Sequence, residues 1–174
     1  MKSTMPNSFC ARPKTFFAYA LGSIVCGLAV AQPAEAQYRR KIDNNLSECH
    51  RGSESAIMVT VSGIRSSRGT LRVQSYRGTA SDWLQKGRWL NRIEVPARAG
   101  SMTFCLPVPN PGSYAVAVRH DTNGNGGTDL RVDGGGMSNN PSINIFNLGK
   151  PSYKKTAFPV GRDVKSISIV MKYM

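Results

Sequence analysis

From residue 57 onward the chain places an apolar side chain at every second position, in runs too short for a stable helix. Ile57, Val59 and Val61 alternate with Met58, Thr60 and Ser62; Leu71, Val73 and Ser75 alternate with Arg72, Gln74 and Tyr76; Met102, Phe104 and Leu106 alternate with Thr103 and Cys105. A period of two is the mark of a strand with one face buried. Tyr114 to Val118 is nearly all apolar, which fits a central strand covered on both faces, and residues 166–171 supply the last strand. Gly63 to Gly69 reads as a turn, so residues 57–62 and 71–76 are expected to form a hairpin with its polar face outward. The stretch from Pro107 to Gly112 holds three prolines without N–H donors and cannot be a central strand. No long amphipathic helix and no fixed-period repeat is evident. Strands divided by Gly, Pro, Asn and Ser turns predict an all-β fold, an antiparallel β-sandwich.

Two stretches fit this pattern less well. Residues 77–100 are irregular; Trp83, Leu84, Trp89 and Leu90 sit there on a short helix or a long loop, either packed into the core or lining a sugar-binding cleft. Residues 37–55 are polar and read as a loose N-terminal arm, held near its end by Cys49.

The first 36 residues have the order of a secretory signal. Lys2, Arg12 and Lys14 come first, an apolar run follows from Thr15 to Val30, and Ala34-Glu35-Ala36 is a small-x-small cleavage site. Cleavage after Ala36 leaves 138 of the 174 residues, with domain limits of 1–36 for the signal, 37–55 for the arm and 56–174 for the sandwich. A retained anchor is the competing reading, but the run falls short of the roughly 20 apolar residues that span a bilayer and contains Gly22, Ser23 and Gly27. A lipid anchor on Cys26 is disfavoured by the bulky Val25 before it. After signal removal no stretch is apolar enough for a membrane span. The expected location is therefore periplasmic or secreted.

Cys10 and Cys26 leave with the signal, so the mature chain keeps Cys49 and Cys105. Two thiols in an oxidising compartment usually pair. The alternatives are two free buried thiols or part of a metal site, and neither cysteine has the close second cysteine that zinc sites use.

The chain carries a net charge of +13, from 23 basic and 10 acidic residues; the signal takes three basic residues and Glu35, leaving +11. Such a surface attracts anions. For an exported domain these are envelope polymers, lipid head groups or acidic polysaccharide. Nucleic acid is not expected, because the basic residues are scattered and no nucleic-acid motif is present. Plain solubility accounts for the charge equally well.

One segment suggests chemistry: His120-Asp121-Thr122-Asn123-Gly124-Asn125-Gly126-Gly127-Thr128-Asp129. Oxygen-bearing side chains at Asp121, Asn123 and Asn125, a glycine at 126 and Asp129 match the first nine positions of a calcium loop, with the Gly127 carbonyl as the seventh-place ligand. Calcium takes 6–8 oxygens at roughly 2.3–2.6 Å, and alternate side chains on a tight turn converge on one point. The twelfth position is Val132 rather than glutamate, and Asp133 stands one place late. Any calcium site would be weak. The competing reading is an Asn/Gly turn without metal. His120 beside Asp121 raises acid–base chemistry, but no nucleophile or third member accompanies them, so no catalytic residue is assigned.

Gly112-Ser113-Tyr114 through His120-Asp121-Thr122-Asn123-Gly124-Asn125-Gly126 resembles the P-G-x-Y-A-x-x-x-x-H-D-x-N-x-N-G core of the bacterial DUF2141 family. Residues 59–69 resemble that family's opening strand and turn, Gly136-Met137-Ser138-Asn139-Asn140 its G-F-S-N-N segment, and residues 150–158 its P-x-F-x-x-A-x-F segment. The similarity covers about residues 56–174. Arg131-Val132-Asp133-Gly134-Gly135 stands where the family has Gly-Ile-Pro-x-Glu. The resemblance implies export and a sandwich of the transthyretin or carboxypeptidase-regulatory type, with an immunoglobulin-like sandwich as the other form; it implies no reaction. The expected function is a non-enzymatic binding or structural module of the bacterial envelope, without a cofactor. A weak calcium-binding module is the first alternative and a hydrolase the second.

Overall fold

A computed structural model describes residues 38–173 apart from 51, 53, 130 and 144–148. The expected signal peptide and its cleavage site at Ala36 lie outside the described residues.

Ten strands are described: β1 (Arg40–Lys41), β2 (Ala56–Ile64), β3 (Thr70–Arg77), β4 (Asn91–Pro96), β5 (Gly100–Pro107), β6 (Gly112–Asp121), β7 (Gly134–Met137), β8 (Phe158–Val160), β9 (Val164–Val170) and β10 (Lys172–Tyr173). They form two sheets. The larger runs β1-β4-β3-β6-β7-β10, with β8 beside the start of β6; the smaller runs β5-β2-β9. The chain folds as a β-sandwich. Most pairings are antiparallel, but β1 runs parallel to β4 and β2 parallel to β9, so both sheets are mixed.

The core follows from the alternation. Ile57, Val59 and Val61 of β2, Phe104 and Leu106 of β5 and Ile169 of β9 are buried against Leu71, Val73, Ile93, Val116 and Val118 of the larger sheet. Each such aliphatic side chain stabilises by roughly 1.5–3 kcal/mol when buried. Phe104 is fully enclosed, and its truncation to alanine would cost about 3–5 kcal/mol.

The expected hairpin of 57–62 with 71–76 does not form. β2 pairs with β5 and β9, whereas β3 pairs with β4 and β6 in the other sheet. Residues 64–70 therefore cross between the sheets, and the two apolar faces meet across the core instead of lying side by side. Gly69 makes this crossing feasible: its φ is +70°, and a Cβ there would lie 1.9 Å from the Asp121 carbonyl oxygen.

The arm is docked rather than loose. Arg40 and Lys41 pair with Asn91 and Arg92, and the Tyr38 hydroxyl donates to Asp82 at 3.2 Å. A single 3₁₀ turn, Leu46–Cys49, then delivers Cys49 to Cys105, and the two form a disulfide with Cα atoms 5.8 Å apart.

Both edges of the smaller sheet end in asparagine side chains. Asn44 Nδ2 donates to the Thr103 carbonyl at 2.9 Å and its Oδ1 accepts from Cys105 N–H at 3.1 Å, on the free side of β5. On the free side of β9, Asn140 Nδ2 donates to the Ser168 carbonyl at 3.0 Å and its Oδ1 accepts from Val170 N–H at 2.8 Å.

Candidate functional site

The 121–133 loop leaves β6 and returns at β7. Asp121 begins it: Oδ1 accepts from Gly124 N–H at 2.9 Å and Oδ2 from Gly126 N–H at 2.9 Å. Gly124 and Gly126 have φ of +72° and +76° in open space, so conformation rather than crowding requires glycine at both. Asn123 Oδ1 accepts from Asn125 N–H at 3.1 Å, Asn125 Oδ1 from Gly127 N–H at 2.8 Å, and Asp129 Oδ1 from Arg131 N–H at 3.2 Å. These are side-chain turns, each bonding the backbone two residues on. Asp133, one of the few buried carboxylates, accepts from Thr122 N–H and Asp129 N–H and ties the two ends of the loop together.

A cation does sit at this loop: the guanidinium of Arg119. Nη2 lies 3.3 Å from Asp121 Oδ2 and donates to the Gly126 carbonyl at 3.0 Å; Nη1 donates to Thr128 Oγ1 at 3.0 Å and to the Gly127 carbonyl. Of the five residues that the sequence pattern points to, the structure thus turns Asp121 and Gly127 toward one group, Arg119. Asn123, Asn125 and Asp129 are engaged with their own backbone. Burial, then the charge of Arg72, lowers the pKa of Arg119, while Asp121, Asp133 and Glu94 oppose the shift.

His120 faces inward and is fully buried. Nε2 meets the Arg68 carbonyl at 2.7 Å and must donate to it; Nδ1 meets the Tyr173 hydroxyl at 2.7 Å. Both ring nitrogens are committed to structural partners. Trp83 and Trp89 are buried too: they pack with Tyr76, Ala115 and Met137, and Trp83 Nε1 donates to the Pro151 carbonyl at 2.8 Å.

The outer face of the larger sheet carries the unbalanced charge. Reading the register across strands, one row runs Glu94, Arg72, Arg119, Gly135, Lys172. The next runs Lys41, Arg92, Gln74, Ala117, Met137. A third pairs Tyr76 with Ala115. The face grades from charged, beside the loop, to apolar, over the tryptophans.

Arg72 stands directly opposite Arg119, a like-charge pairing that disfavours the fold. Glu94 offsets part of this. It lies 2.5 Å from Arg72 Nε, 3.4 Å from Lys41 Nζ and 3.9 Å from Arg92 Nη1. One carboxylate thus serves three cations. Burial tends to raise the Glu94 pKa, but the hydrogen bond and charge of Arg72, with Arg92 and Lys41, outweigh it and hold the group below the usual carboxylate range. Arg92 is lowered by burial and by the charge of Arg72.

Two recesses open on this face. One, of about 240 Å³, lies over Ala117, Gly135 and Met137, with Leu84 and Ile143 as walls and Arg72, Arg119, Lys150 and Lys172 around it. A broader one of about 450 Å³ lies between the loop and β4, lined by Arg72, Glu94, Arg119 and Asp121. Sequence reading missed this face because its arginines come from three strands separated by up to 47 positions and meet only through strand pairing. The one local signal was the alternation of Arg92 and Glu94 with Ile93 and Val95, which marks β4.

No curated protein and no solved structure matches the chain. The family model for uncharacterized proteins conserved in bacteria, DUF2141, matches residues 59–168, which run from β2 to β9 and include the loop and nearly all of the charged face, and the chain therefore belongs to the DUF2141 family.

Proposed function

We propose that this is an exported, non-enzymatic binding module of the bacterial envelope, periplasmic or secreted, that holds an anionic polymer, in particular an acidic polysaccharide, against the outer face of its larger sheet. The observation that carries the reading is the placement of Arg72, Arg92 and Arg119 on adjacent strands with Glu94 as their shared carboxylate. Repulsion among these cations is relieved when an anion binds, so the face is charged beyond what its own structure neutralises. The Cys49–Cys105 disulfide supports export, since such bonds persist in oxidising compartments. The commitment of both nitrogens of the buried His120 to structural partners supports a non-enzymatic role.

Binding to polygalacturonate, measured by calorimetry at low and at physiological salt, tests the reading. Affinity should fall with salt, as expected for charges screened over about 8–10 Å. Arg92→Glu should weaken binding at least tenfold. Salt-independent binding, or none at low salt, would overturn it.

Calcium binding at 121–129 is the alternative. It is favoured by the Asp121 carboxylate and the Gly126 and Gly127 carbonyls converging on one cationic group, and it requires Arg119 to withdraw.

A further inference from the structure

We propose that the recess over Gly135 is a subsite for a single sugar ring bearing one carboxylate or phosphate, with the anion between Arg119 and Lys172 and the ring lying on Ala117 and Met137. This deepens the polymer-binding reading and rests on it: the recess would take one charged unit of the chain.

Three observations converge on it. The first is the gap in the charged row. Arg119 and Lys172 flank Gly135 on neighbouring strands, and a Cβ at Gly135 would meet only Ile143 Cδ1, at 4.0 Å. Gly135 has no positive φ, so backbone conformation does not call for glycine there. What its lack of a side chain leaves is floor space between two cations. By contrast, a Cβ on neighbouring Gly134 would run into the Tyr173 ring at 2.4 Å, and one on Gly136 into Ile169 at 2.7 Å; those two glycines are needed for packing.

The second is the polarity of the recess. Of its cations, Arg72 is paired with Glu94 and Arg119 with Asp121, whereas Lys150 and Lys172 have no ion-pair partner among the described residues; the carboxylate in the lining, Asp133, is buried and already occupied by the Thr122 and Asp129 N–H groups. Its apolar surface, Ala117, Met137, Leu84 and Ile143, continues away from the charged row. A small free anion would leave that surface uncovered, and an uncharged ring would leave the excess positive charge of Lys150 and Lys172 unneutralised. A ring with one anionic substituent satisfies both.

The third is size. About 240 Å³ is below the roughly 300–1,000 Å³ of sites for drug-sized ligands, and suits one ring rather than a folded chain.

The test titrates the full mature protein with glucuronate, glucose 1-phosphate, unsubstituted glucose and inorganic phosphate, followed by amide chemical shifts, with polygalacturonate binding measured alongside. Glucuronate and glucose 1-phosphate should each bind at least tenfold more tightly than glucose or phosphate, with shifts centred on residues 117, 135 and 137. Comparing those two separates a carboxylate from a phosphate source. Gly135→Leu, which fills the recess without backbone strain, should lose the monosaccharides while keeping salt-sensitive polygalacturonate binding through Arg92 and Lys41. Lys172→Gln, at an exposed position, should weaken both charged sugars at least fivefold and provides the answer if Gly135→Leu does not fold. Glucose binding as well as glucuronate, phosphate binding as well as glucose 1-phosphate, or unchanged sugar binding in Gly135→Leu would each overturn the subsite. If polygalacturonate itself fails to bind the parent protein, the broader reading falls.

Discussion

Asn44 and Asn140, almost a hundred residues apart in sequence, make the same pair of hydrogen bonds at opposite edges of the smaller sheet. Each amide donates to the carbonyl of an edge residue and accepts from the N–H two residues further on, Thr103 and Cys105 in one case and Ser168 and Val170 in the other. Each side chain thus stands in for one residue of a neighbouring strand. Unpaired strand edges are templates for pairing with other chains, and proteins that persist in solution cover them.

Removing these amides should therefore show in association as well as stability. Asn44→Ala is expected to destabilise by about 1–2 kcal/mol, and the protein should associate in a concentration-dependent manner. At Asn140, where φ is +47°, glycine rather than alanine is the right replacement, since it removes the amide without straining the backbone. Light scattering over a concentration series checks both variants; monomeric behaviour at all concentrations would show that the amides are not what guards the edges.

Glu94 should govern both acid stability and polymer affinity. Its folded pKa lies below the unfolded value of about 4.3. The stability it contributes is therefore complete above that value and lost as the pH falls through the folded pKa. Glu94→Gln should be about 1 kcal/mol less stable than the parent at pH 7, and the gap should close on acidification below pH 4. Urea titrations across pH 3–7 measure this. The same variant frees Arg72, Arg92 and Lys41 from their shared partner and should bind polygalacturonate several-fold more tightly; weaker binding would mean that Glu94 orients the cations for the ligand.

Reduction of Cys49–Cys105 should be costly, because the bond ties the docked arm to β5. It joins residues 56 apart in sequence, for which the chain-entropy account gives about 4 kcal/mol. Denaturant midpoints with and without reductant, and for the Cys49→Ala, Cys105→Ala double variant, check it. A loss under 1 kcal/mol would mean that β1 and Asn44 dock the arm unaided.

Melting curves of the parent protein in several millimolar calcium and in chelator should coincide, because Arg119 holds the Asp121, Gly126 and Gly127 oxygens that an ion would use. Arg119→Ser should be about 1–3 kcal/mol less stable and should gain a calcium-dependent upward shift that the parent lacks. An upward shift in the parent would favour the calcium alternative.

Much of the strand pattern was legible in the sequence. Residues 57–62, 71–76, 102–106 and 114–118 all fall within strands, because each has a buried face and alternation reports it directly. Partnership was not legible. Ile57–Val61 and Leu71–Val73 have the pattern of a hairpin and equally of two faces of one core, and only their packing distinguishes these. The parallel partner of β2 is β9, more than 100 residues away, and no local signal encodes a pairing of that range. The loop showed the reverse case. Its residue types fit an ion loop and equally an Asn/Gly turn, and Arg119, two positions before Asp121, looks in sequence like any solvated strand position.

A loop closed by Arg119 carries its counter-charge covalently. A metal-closed loop reports the ion content of its surroundings, ordering when the ion is plentiful and loosening when it is scarce. Here the positive charge belongs to the chain: Arg119 reaches Asp121, the Gly126 and Gly127 carbonyls and Thr128. Both Arg119 and Asp121 stand on β6, so the contact that closes the loop is laid down by the strand itself. The same guanidinium also stands in the outer-face row between Arg72 and Gly135, so the loop and the charged face share one side chain, and whatever draws Arg119 away from one disturbs the other.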